Sequence, residues 1–124
     1  MKYLILIHSN PDSRALWETL DDDQRMAFGL GHLHLSEELA ESGELIVSEG
    51  LADLELAKRV AVRNGRTSTS DGPFAEVKEH LAGFYLVECE SFERAVEIAA
   101  RTPDASYSGA VEVRPVLDMS TWDL

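Results

Sequence analysis

A chain of 124 residues with 11 basic and 23 acidic side chains, net −12, is one domain's length and too acidic to favour nucleic acid or an anionic membrane. Its 44% apolar content is that of a core-forming chain, and no run reaches the roughly 20 apolar residues that span a bilayer. Cys89 is the only cysteine, which excludes an intrachain disulfide, and the opening apolar run is too short for a signal peptide. A single cytoplasmic domain over residues 1–124 is expected.

In chain order, Lys2 to His8 predicts a strand whose two faces, Tyr3/Ile5/Ile7 and Leu4/Leu6, are both apolar. A helical stretch follows in two pieces, Asp12 to Leu20 and a longer one capped by Asp21-Asp22-Asp23. Phe28, His32, Leu35 and Leu39 share one face of the longer helix, and Gly43 ends it as a left-handed cap. Glu44 to Gly50 predicts a second strand. Lys58 to Asn64 alternates, turns at Asn64-Gly65 and returns through Arg66 to Ser70, a β-hairpin.

Gly83 to Cys89 predicts a strand apolar on both faces, with Cys89 a small buried hydrophobe rather than a reactive thiol. Ser91 caps a helix from about Phe92 to Arg101, with Phe92, Ala95, Val96 and Ala99 as its buried stripe and Pro103 as its stop. Ser106 to Gly109 reads as loop, and a last strand lies near Ala110 to Val116.

Two β-α-β units with a hairpin between them predict an α+β, ferredoxin-like domain with the first and third strands central. Two helices cover one face of such a sheet. The other face is apolar in the central strands, so a second copy, packed sheet to sheet as a homodimer, is the expected cover; a bound small-molecule ligand could share that space.

The most distinctive segment is Thr69-Ser70-Asp71-Gly72-Pro73-Phe74-Ala75-Glu76-Val77-Lys78-Glu79-His80-Leu81-Ala82-Gly83-Phe84-Tyr85. Asp-Gly-Pro is a turn by its chemistry, and Phe74, Val77 and Leu81 are expected to bury one side of it. The segment resembles the DGPF-domain proteins, a branch of the YCII-related family, with Ser70 and Ala82 replacing the usual Thr and Gly. The likeness continues through Ser48-Glu49-Gly50-Leu51 and Val111 to Val116. It implies a ferredoxin-like fold of the dimeric α+β barrel group, a pocket with a His–Asp pair, and, in some members, lyase-type activity. Many DGPF proteins carry an aromatic residue where this chain has His32. Their frequent linkage to extracytoplasmic-function sigma factors implies a regulatory partner as the alternative to catalysis.

For chemistry, His32 on an apolar stripe is either a general base or a core histidine bonded to backbone. Asp71 is the expected carboxylate partner, or a residue that only closes its turn. Phe74, Glu76 and Lys78 are candidate ligand contacts, Lys78 for an anionic group and Glu76 as a second acid; Glu79 reads as solvated. The pocket is expected between the long helix and the sheet, with the DGPF turn in its wall. His32-Leu33-His34 is not a metal pair, because two residues subtend about 200° on a helix. No organic cofactor or metal is expected, and no Gly-rich phosphate loop or nucleophile elbow is present.

Overall fold

In the computed structural model, residues 1–74 and 78–122 are described, Thr121 by its backbone alone. Four strands, β1 (Lys2–Ser9), β2 (Leu45–Gly50), β5 (His80–Glu88) and β6 (Val111–Pro115), form an antiparallel sheet in the order β2-β5-β1-β6. The first and third strands of this sheet are central, which is the ferredoxin-like arrangement. Pairing sets Ile5 opposite Tyr85 and Tyr3 opposite Val87, and these four side chains are buried under the helices.

The helices begin where side chains can satisfy the first free backbone N–H groups. Asn10 and Ser13 form a reciprocal cap at α1 (Pro11–Glu18), and Asp21 and Gln24 do so at α2 (Asp22–Ser42) with both bonds at 2.8 Å. Gly43 closes α2 at φ +83°, a conformation that glycine adopts without penalty. Leu35 and Leu39 carry α2 into the core, where they meet Ile98 and Ala95 of α3 (Phe92–Ala100).

Glu44 fastens the start of β2 to α3 through a bidentate pair with Arg94, both bonds 2.9 Å. Those bonds hold the Glu44 carboxyl at about 2, well below its usual value.

Three expectations are corrected. The buried stripe of α3 is Ala95, Ile98 and Ala99, three and four residues on from Ala95; a face that includes Ile98 turns Phe92 and Val96 to its margins, where both are exposed. Pro103 ends one helix by starting another: with Thr102 as the capping residue it occupies the first turn of α4 (Pro103–Tyr107), where its missing N–H costs nothing. The segment from Ser106 that reads as loop is therefore partly helical. Around the Asp-Gly-Pro turn, Phe74 is only half-buried beneath the Arg59 guanidinium, 4.1 Å from its ring, and Leu81 is exposed at the start of β5. Val77 lies outside the described residues.

The hairpin of β3 (Lys58–Arg63) and β4 (Arg66–Asp71) forms a separate two-stranded sheet, and every residue of both strands is exposed.

Candidate active site

Three elements converge on one imidazole. His32, on the inward side of α2, lies with its ring roughly parallel to that of Tyr85 from central strand β5. The edge of Phe28, one turn earlier, closes the other side at 5.4 Å between ring centres. Both ring nitrogens are bonded: Nε2 is 2.6 Å from Asp104 Oδ1, and Nδ1 is 2.5 Å from the Tyr85 hydroxyl.

These partners fix the tautomer. An ionised carboxylate only accepts, so Nε2 carries the hydrogen toward Asp104. Burial pushes the Tyr85 phenol up to about 12, so it keeps its proton at neutral pH and donates to Nδ1. The result is a Tyr–His–Asp chain with each proton assigned.

Asp104 reaches this position because α4 lies hard against α2. A Cβ on Gly31 would stand 2.8 Å from the Pro103 ring, closer than carbon atoms approach. Glycine at position 31 thus permits the contact that carries Asp104, one residue past Pro103, to the next residue on α2, His32.

A cleft of about 410 Å³ opens beside the imidazole. Its floor includes Gly83 and Tyr85 of β5, its roof Phe28, His32 and Ser36 of α2, and its far side Ser48, Glu49 and Gly50 of β2. Ser36 and Ser48 hydrogen-bond across it at 3.0 Å. A second recess of about 760 Å³ shares Phe28, Ala82 and Asp104 with the first. There Arg14 contacts His80 Nε2 at 3.0 Å, and burial, followed by the Arg14 charge, pushes the His80 imidazole below its ordinary value.

The residues singled out in the sequence are not all gathered here. His32 lines the cleft. Asp71 does not orient it: both imidazole nitrogens are taken, and Asp71 instead pairs with Lys58 at 3.1 Å across the base of the hairpin. The Asp-Gly-Pro turn forms no part of either cavity wall; Gly72 is bonded to the Ala57 carbonyl, and only glycine fits against the Leu54 carbonyl there. Phe74 and Lys78 line neither cavity, and Glu76 lies outside the described residues. Asp104 was missed because Pro103 reads as the stop of α3, although Thr102-Pro103-Asp104 carries a helix-start signature of cap, proline and first-turn acid. Tyr85 was missed because a strand tyrosine at a core position carries no sign of what its hydroxyl meets. Among the described residues, no group of three His, Cys, Asp or Glu side chains is placed to hold a metal ion.

The chain belongs to the YCII-related domain family, whose model matches residues 1–120. It is 32% identical over 117 residues to the uncharacterized protein R00369 of Rhizobium meliloti (strain 1021), covering 94% of this chain and 92% of that one. Among solved structures it resembles 5-chloro-2-hydroxyhydroquinone dehydrochlorinase (TftG) from Burkholderia phenoliruptrix AC1100, in complex with 2,5-dihydroxybenzoquinone. That match has a TM-score of 0.54 at 18% identity over 94% of each chain, a likeness of fold. Among the described residues, no helix is long and apolar enough to cross a membrane.

Proposed function

We propose that the chain is a small acid–base enzyme that moves a proton on an oxygen-bearing ring or carbonyl substrate held in the cleft beside His32. The observation that carries this reading is the hydrogen-bonded chain Tyr85–His32–Asp104, opening on a cleft of about 410 Å³. A volume in that range suits a small ring compound. With Nδ1 occupied, the proton passes through the phenol: the substrate gives a proton to the Tyr85 oxygen as Tyr85 gives its own to Nδ1. The imidazolium that forms is stabilised by Asp104, and returning the proton to a leaving or receiving atom restores the chain. The dehydrochlorinase that shares the fold performs, by its name, an elimination on a hydroxylated ring, which makes such rings the first substrates to test.

The experiment is a screen of hydroxylated and halogenated ring compounds against the wild-type protein, His32→Gln, Asp104→Asn and Tyr85→Phe. Each variant should keep its circular dichroism spectrum, and turnover should fall by about 10²–10⁴ in His32→Gln, the range for loss of one acid–base group. Undiminished turnover in His32→Gln rejects the reading.

A homodimer accompanies it. Leu4 pairs with Leu86 and Leu6 with Phe84 on the sheet face opposite that of Tyr3, Ile5, Tyr85 and Val87; Leu6 is buried there, and Leu4, Phe84 and Leu86 are half-buried. A second copy packed on that face would complete the burial of Leu4, Phe84 and Leu86. Light scattering at micromolar concentration should give about twice 13.7 kDa; a monomer mass removes the sheet-to-sheet reading.

A further inference from the structure

The β3–β4 hairpin is used by neither the core nor the cleft, and its composition is unlike that of the rest of the chain. From Lys58 to Asp71 it holds four basic residues, Lys58, Arg59, Arg63 and Arg66, against one acidic residue, a net +3. The whole chain is −12, so the remaining residues carry −15. The molecule is an acidic body with one basic arm.

The arm's two faces follow from its pairing. Val60 opposes Thr69 and Val62 opposes Thr67 on one face, with the valines 64% and 66% exposed. At the tip, Arg63 stands directly opposite Arg66. Like charges at opposed positions destabilise a strand pair, and among the described residues neither arginine has an ion-pair partner. A hairpin with no third strand is marginal in water unless something packs on it. An apolar face and an unneutralised cationic tip together call for an anionic surface with some apolar area.

We propose that this hairpin is a clasp, lying against the acidic body of a second copy in the dimer inferred above. Charge complementarity selects that occupant: the partner offers −15 outside its own arm, and two copies exchange two arms by the same contact, as a twofold interface requires. A nucleic acid would meet two unpaired arginines on a molecule whose remaining surface repels it. The clasp rests on the sheet-to-sheet pairing, which supplies the contact area; the arm adds orientation and a salt-sensitive share of the affinity.

Sedimentation equilibrium on the full chain separates these contributions. For the wild type, the dimer dissociation constant should rise between about 0.05 M and about 0.5 M salt as the clasp is screened. The double variant Arg63→Glu/Arg66→Glu should raise that constant by about tenfold or more at low salt and flatten its salt dependence, and Arg63→Lys/Arg66→Lys should restore most of both. Unchanged circular dichroism shows that the body stays folded. A wild-type dimer whose affinity ignores both salt and charge reversal overturns the clasp and leaves the sheet pairing standing. Leu86→Glu on the open sheet face tests that pairing by itself, and a dimer surviving it, or a wild-type monomer, overturns both. Wild-type binding to a duplex oligonucleotide that the double variant loses, with dimerisation unchanged, assigns the arm to a polyanion and overturns the clasp.

Discussion

The junction of α2, β5 and α4 and the segment running from the hairpin through the Asp-Gly-Pro turn are built on opposite principles. The first is made of ordinary residues brought together from three distant stretches of chain, and its side chains are half-buried or buried, with both His32 nitrogens bonded. The second holds the most recognisable motif, yet its strands are exposed, and its acid, Asp71, is spent on a local ion pair with Lys58. A motif that identifies a family can mark how the chain turns. The reacting groups can come from elsewhere.

Stability should break this comparison most sharply. Leu39→Ala empties a fully buried core position and should cost about 2–5 kcal/mol, whereas Val60→Ala in the exposed arm should stay within about 0.5 kcal/mol for the monomer. Urea denaturation of both variants measures the contrast, and equal costs would mean the arm is part of the cooperative core.

The two carboxylates give the next test. Asp104→Asn keeps an accepting oxygen but loses the charge, so it should shift the hydrogen-bonded Nε2 proton signal of His32 and its imidazole ¹⁵N shifts, while Asp71→Asn should leave both untouched. The opposite result would restore Asp71 as the orienting acid.

Glu44→Gln should cost about 1.5–3 kcal/mol at neutral pH, the usual scale for hydrogen bonds to a charged group. The sign with pH follows from Glu44 standing at about 2 when folded against 4.5 when free. Its contribution is complete above about 4.5 and disappears as pH falls toward 2. The gap between wild type and variant should therefore narrow across that window.

The smallest effect on stability is the most local. Gly29→Ala meets nothing within 4 Å and should stabilise α2 by about 0.5–1 kcal/mol. At Gly31→Ala the same helical gain is opposed by the Pro103 ring, so α4 must shift. Its melting temperature should change little while the His32 Nε2 signal moves, separating the contact from general helix stability.

Periodicity and capping chemistry made most of the fold legible. Tyr3, Ile5 and Ile7 against Leu4 and Leu6 marked a strand apolar on both faces, Asn64-Gly65 marked the hairpin, and Gly43 marked the end of α2. The inward direction of His32 followed from its place on the stripe with Leu35 and Leu39. These are local properties, set by spacings of two and three to four residues along one stretch of chain. The partners of His32 are not local. Tyr85 and Asp104 lie 53 and 72 residues away, and their meeting depends on the β1–β5 register and on a glycine that lets α4 touch α2. Sequence by itself determined which way the imidazole points; only the packing of α4 on α2 decided which carboxylate it finds, because a hydrogen bond needs placement to a few tenths of an ångström that no spacing rule carries.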